Sequence, residues 1–245
     1  TLLLMAAAAL PARAGTFAPP DGCTGTMTVQ QRGCRVSNHY VCAGDPAGHK
    51  WRADLDQEGV FFLSRTDAEA QWIESVDLPD GVVQTLDPAP EDPASFSTLL
   101  ADGRDDYAFG LTKTDGTTSR VRGFDRLTGE TAVIDGVPLE VTEFQFTETA
   151  PDGTVIRRGR GNEYIGRDMR MFFAGPGEAD VGDGRWLPID GRPVEFVFPG
   201  EAGNVKLTLP EDFDAAERRM QAAMNDVRVG QGYDVHAFTE GDHVW

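Results

Sequence analysis

Asp-Gly recurs along the middle of the chain, at Asp80-Gly81, Asp115-Gly116, Asp135-Gly136, Asp152-Gly153, Asp183-Gly184 and Asp190-Gly191. This dipeptide suits the positive φ angles of tight two-residue hairpin turns. Between these points lie short runs rich in Val, Thr, Phe, Tyr and Trp, among them GVFFLSR, YAFGLTK, LEVTEFQFTE and PVEFVFP, with almost no helical periodicity. Regular turns between short β-prone runs predict a mainly β fold, an antiparallel meander forming a barrel or a strongly coiled sheet. One short helix is expected at DPASFSTLLADG, with Asp92 as N-cap, Pro93 in the first turn and Gly103 as the stop.

Alternation within LEVTEFQFTE refines the picture. Leu139, Val141, Glu143, Gln145 and Thr147 share one face, and Glu140, Thr142, Phe144 and Phe146 share the other. The apolar side therefore changes partway along, which predicts a bulge or bend near Thr142. Trp51, Trp72 and Trp186 read as strand core rather than as the lining of a ligand cavity. RRGRGNEYIGR gathers Arg157, Arg158, Arg160 and Arg167 among glycines, but a phosphate cradle needs a strand, a loop and then a helix. Strands flank this stretch on both sides, so it reads as a solvated hairpin.

The ends set compartment and partners. TLLLMAAAALPARAG is an apolar run closed by Ala12-Arg13-Ala14, the small-x-small pattern of a signal peptidase site. Residues 1–14 are therefore read as a signal peptide truncated at its start, since neither an initiator Met nor a basic n-region precedes Thr1. The expectation is export to the periplasm, with no membrane association after cleavage. Acidic side chains number 40 against 22 Lys and Arg, a net charge of −18, which argues against nucleic acid as a partner. The ligand of the body, residues 15–202, is left open.

Cys23, Cys34 and Cys42 follow the predicted cleavage site closely, and an exported chain meets an oxidising compartment where near cysteines pair. Three cannot all pair within one chain, so either one thiol stays free or its partner lies elsewhere. Zinc is the alternative, with His39 and His49 nearby, although the spacing matches no compact zinc pattern.

From residue 203 onward the texture changes. NVKLTLPEDFDAAERRMQAAM carries a capping box, Thr208 with Glu211, and Pro210 in the first turn. Phe213, Ala216, Met220 and Met224 then form one apolar stripe, as on a helix. DVRVGQGYDVHAF reads as a strand on which Asp234 and His236 point the same way, half of a divalent-metal site with zinc the natural ion.

These two stretches carry a resemblance. VRVGQGYDVHAF resembles the first strand of 2-C-methyl-D-erythritol 2,4-cyclodiphosphate synthase, and NVKLTLPEDFDAAE resembles the end of 2-C-methyl-D-erythritol 4-phosphate cytidylyltransferase. Residues 203–245 thus look like the joint of the bifunctional enzyme of isoprenoid precursor synthesis, a helix and strand from a different protein than the body. The resemblance implies that Asp234 and His236 are zinc ligands of the cyclase and that Lys206 acts on the phosphorylated substrate of the transferase. It also implies magnesium with CTP, pyrophosphate release by the transferase and CMP release by the cyclase. The third cyclase ligand falls beyond Trp245, His243 lies at the wrong parity to replace it, and no Gly-rich CTP loop occurs in the body. The expectation is a chimeric chain, an exported β-rich module followed by an incomplete and inactive piece of an isoprenoid enzyme.

Overall fold

The computed structural model describes residues 17–199, which form thirteen strands and one short helix. In chain order these are β1 (Cys23–Gln31), β2 (Arg35–Cys42), β3 (Lys50–Asp56), β4 (Gly59–Thr66), β5 (Trp72–Asp77), β6 (Val82–Leu86) and α1 (Phe96–Asp102). There follow β7 (Arg104–Lys113), β8 (Thr118–Ile134), β9 (Val137–Thr149), β10 (Val155–Gly166), β11 (Met171–Asp180), β12 (Leu187–Asp190) and β13 (Pro193–Val197). The chain divides into units Thr1–Ala202 and Gly203–Trp245, and the second lies outside the described residues.

All strand pairs are antiparallel, and β1 to β12 follow one another in sequence order across a single sheet. The exception is β13, which pairs with β1 at the opposite edge from β12. Laid flat, thirteen strands would put the two edges about 58 Å apart at about 4.8 Å per strand. Yet β12 ends at Asp190 and β13 begins at Pro193, and so short a link reaches only about 11 Å. The sheet is therefore rolled through nearly a full turn. No ladder joins β12 to β13, so it is a strongly coiled sheet and not a closed barrel.

The expected turns hold at most Asp-Gly sites. Asp135 and Gly136 both have positive φ, 49° and 76°, as a tight β8–β9 hairpin requires, and Gly81, Gly116, Gly153 and Gly184 are likewise positive. Asp190-Gly191 differs: it makes no hairpin but carries the chain from one edge of the sheet to the other. The expected irregularity near Thr142 lies on the partner strand. Leu127 opposes Thr142 and Thr131 opposes Glu140, so β8 spends two more residues than β9 over that interval.

The helix starts later than its sequence suggests. Asp92 exchanges backbone hydrogen bonds with Ala108, at 2.9 and 2.7 Å, and so belongs to the margin of β7. Ser95 takes the N-cap, its Oγ accepting from the Thr98 N–H, and Gly103 closes the helix with φ 78° as expected. Phe96 and Leu99 bury against Ile165, with Leu127 and Phe172 alongside. Glu69 fixes the helix from outside by accepting from the Ser97 N–H at 2.8 Å and pairing with Arg170 at 2.8 Å.

Where the rolled ends meet, Met27 and Val29 of β1, Leu139 of β9, Phe173 of β11 and Phe196 of β13 form one buried cluster. Phe173 lies edge-on to Phe196, with ring centroids 5.2 Å apart, and to His39 at 6.2 Å. Truncating Phe173, which is 2% exposed, removes contacts to both ends at once. Phe173→Ala is expected to cost about 3–5 kcal/mol in denaturant unfolding, whereas Val133→Ala, at a position 73% exposed, should stay within about 0.5 kcal/mol.

Candidate functional site

Residues directly opposite one another in a ladder share a face, so the registers trace one face across the sheet. From β2 to β6 that face carries His39, Arg52, Ser64, Ser75 and Gln84, each opposite the next. Gln84 Nε2 then donates to Glu148 Oε1 of β9 at 3.5 Å. On a flat sheet β6 and β9 would lie about 14 Å apart. The contact exists because this face is the concave one.

The concave face is polar for much of its width. Ser37 donates to Asp54 at 2.5 Å, and Arg52 pairs with Asp54 at 3.1 Å. Glu148 accepts from Ser119 at 2.6 Å and from Arg157 at 2.5 Å. Burial works against its charge, but Arg157 and these hydrogen bonds outweigh it and hold its carboxyl below the usual range.

Between β7 and β10 the face turns acidic without equivalent compensation. Asp105 lies directly opposite Asp125, and Asp125 directly opposite Phe144. One row along, Leu127, Thr142 and Glu163 are opposite one another. In the next row the Tyr107 ring covers Gly123, where an added Cβ would come within 2.7 Å of the tyrosine hydroxyl. Phe146 covers Gly159 in the same way. The glycines let large rings lie flat along the concave surface.

Burial dominates the protonation of this cluster. It pushes Asp105 up to about 6, the Ser95 N–H opposing and the charges of Asp92, Asp106 and Glu69 adding to it. Glu163 is pushed up to about 7, against the pull of the Arg52 guanidinium. Asp125 rises well above the carboxylate range through burial and the charges of Glu163 and Asp105, and Tyr107 rises for the same kinds of reason. His39, buried and facing Arg52, falls to about 3 and is neutral.

A second feature opens nearby. A cleft of about 230 Å³ lies between β1, β2 and β13, lined by Phe17, Met27, Asn38, His39, Val197 and Phe198 among others. His39 belongs to both its wall and the concave face.

The residues singled out from sequence distribute as follows. Cys23 and Cys42, opposite one another in β1 and β2, form a disulfide, and Cys34 is exposed and unpaired. The bridge leaves only one thiol for the zinc alternative, and among the described residues no three His, Cys, Asp or Glu side chains converge to hold a metal ion. Lys206, Asp234 and His236 lie outside the described residues. The four arginines of the β10 region face carboxylates: Arg157 with Glu148, Arg158 with Asp180, Arg160 with Glu178 and Arg167 with Glu140. Trp186 packs beneath Arg160, the guanidinium 4.2 Å from the ring centroid, and Trp51 stacks on Tyr40. Sequence reading missed Asp105, Asp125 and Glu163. The available signal was an acid at the inward parity of a strand that is otherwise apolar there, as Asp105 stands before Tyr107, Phe109 and Leu111.

No family model and no solved structure matches the chain. Over 48 residues it is 62% identical to the bifunctional enzyme IspD/IspF of Rhodopseudomonas palustris (strain TIE-1), and 60% identical to that of Bradyrhizobium sp. (strain ORS 278). The match covers 20% of this chain, which spans 12% of the length of these curated relatives.

The raised carboxyls fix a pH dependence. Asp105, Asp125 and Glu163 keep protons in the folded chain that the unfolded chain has released by about pH 5. Their contribution is therefore full below about pH 4 and is lost as pH rises towards 7. His39 acts oppositely, its contribution being lost as pH falls from 6.5 towards 3. Glu163→Gln should thus stabilise the protein by about 1–3 kcal/mol at pH 8, where the wild-type carboxyl is ionised in a buried site. The gain should shrink to under about 1 kcal/mol at pH 5, as read by thermal unfolding of both proteins at the two pH values.

Proposed function

We propose that residues 15–202 are an exported β-rich binding or structural module, and that residues 203–245 are an inactive piece of the bifunctional enzyme of the methylerythritol phosphate pathway. The observation that carries the second part is the 62% identity over 48 residues. Its length is close to that of residues 203–245, the stretch that carries the resemblance in the sequence. On this reading Asp234 and His236 correspond to zinc ligands and Lys206 to a residue acting on phosphorylated substrate, with magnesium serving CTP in the complete enzyme.

The first part is supported by chemistry within the body. A cross-strand disulfide between Cys23 and Cys42 suits an oxidising compartment, in keeping with the reading of residues 1–14 as a signal peptide. The net charge of −18 leaves nucleic acid and anionic membrane poor partners. A curved inner face that sets a few polar groups beside the rings of Tyr107, Phe144 and Phe146 suits a small ligand better than a purely structural role.

Inactivity rests on fold. A doubly wound parallel sheet binds nucleotides at the carboxyl ends of its strands. Residues 17–199 are antiparallel throughout and form no such crevice. Neither pyrophosphate release from CTP and methylerythritol phosphate nor CMP release from the cyclase substrate is expected of the purified chain. CMP release at enzymatic rates would instead establish the bifunctional enzyme as the function. Fractionation of cells expressing the source gene from its own start should place the protein in the periplasm with Gly15 at its N-terminus. An uncleaved cytoplasmic chain would overturn the export reading.

A further inference from the structure

We propose that the concave face between β7 and β10 binds a small alkylammonium ion, its charge met by Asp125 and Glu163 and its apolar body lying along Tyr107 and Phe144. The inference rests on the reading of the body as a binding module and names its ligand class.

Four observations converge. First, the registers put all four side chains on one face: Asp125 is opposite Phe144, Glu163 is one row away opposite Thr142, and Tyr107 is one row to the other side. Second, Glu163, Tyr107 and Phe144 are only half-buried and keep solvent-accessible surface. A ligand lying on the concave face can therefore reach them. Third, among the described residues Asp125, Glu163 and Tyr107 make no side-chain hydrogen bond or ion pair, so no protein group competes for them, and Thr142 Oγ1 rather than these atoms is the buried orphan of the cluster. Fourth, Thr142 is fully buried with its Oγ1 unpartnered, directly opposite Glu163 on the same face. An ammonium N–H would satisfy that oxygen together with the carboxylate.

Charge selects the sign of the ligand. Asp105 and Tyr107 of β7, Asp125 of β8 and Glu163 of β10 lie on this part of the concave face, with Glu69 and Asp92 near Asp105. Arg52 of β3 is the opposing cation, and it already pairs with Asp54; His39 of β2 is neutral. Spacing selects the size, because the acids do not converge closely enough for a metal ion. Separated carboxylates beside aromatic rings instead match an organic cation, which gains both charge pairing and cation–π attraction.

The test is calorimetric titration of the full chain with n-butylammonium chloride at pH 8 and pH 5, with n-butanol as the neutral probe and calcium chloride as the metal probe. Saturable binding with a dissociation constant near or below about 1 mM is expected at pH 8 for a ligand of this size. It should weaken at least about tenfold at pH 5, where the carboxyls take up protons. Asp125→Asn and Glu163→Gln should each cost about tenfold at pH 8, near-ultraviolet circular dichroism reporting that they are folded. Should either amide fail to fold, Phe144→Leu, which removes a ring and no charge, is expected to weaken binding several-fold. Equal binding of n-butanol, saturation by calcium and not by the amine, no saturable binding, or unchanged affinity in the folded variants would overturn the proposal. An exported chain that binds no amine would fail this site alone, since export is read separately by fractionation.

Discussion

The short passage from Asp190 to Pro193 governs the rest of this fold. It ties the last strand of a sequential meander to a partner at the far edge, and strand spacing then leaves the sheet only one course, to roll until its ends meet. Met27, Val29, Phe173 and Phe196 make that meeting favourable by burying apolar surface from both ends. Backbone hydrogen bonds do not complete the circle, so side-chain packing holds the seam. Asp135, at the tip of the longest hairpin, adds to it by accepting from the Phe196 N–H at 2.9 Å.

Rolling has a chemical consequence. Side chains that would be three strands apart on a flat sheet come within hydrogen-bonding range on the concave side, as Gln84 and Glu148 do. The same geometry brings Asp105, Asp125 and Glu163 within electrostatic reach of one another. Glu148 shows how such an acid is normally accommodated, with Ser119, Gln84 and Arg157 all donating to it. The β7 to β10 acids lack that arrangement. Their cost is accepted within one fold that elsewhere satisfies its inner carboxylates, and unmet cost of this kind concentrates at functional sites.

The β class and the meander were legible in the sequence because turn chemistry is local: Asp135-Gly136 specifies its hairpin whatever surrounds it. The coil was half legible, since alternation in β9 revealed a change of buried side. The extra residues lie on β8, where Thr128 to Glu130 have no alternation to betray them. The N-cap was misplaced at Asp92 because a tertiary bridge to Ala108 recruits that backbone, which no local signal reports. Asp190-Gly191 shows the converse error, a hairpin signal used for an edge-to-edge link. The acidic cluster was hidden for a related reason. Its members lie on three strands, and only the registers place them in adjacent rows.

The disulfide and the seam divide the stabilising work along the sheet. Cys23–Cys42 closes the outer end of the β1–β2 ladder beside Tyr40 and Phe17, on the face away from His39. The seam cluster lies on the other face of the same two strands, against Met27 and Val29. β1 is thus held on both faces while also pairing with β2 and β13. The acids sit on β7, β8 and β10, well along the sheet from that anchor. The fold therefore concentrates covalent and apolar fixation on β1, and the uncompensated acids lie on strands that the disulfide does not touch.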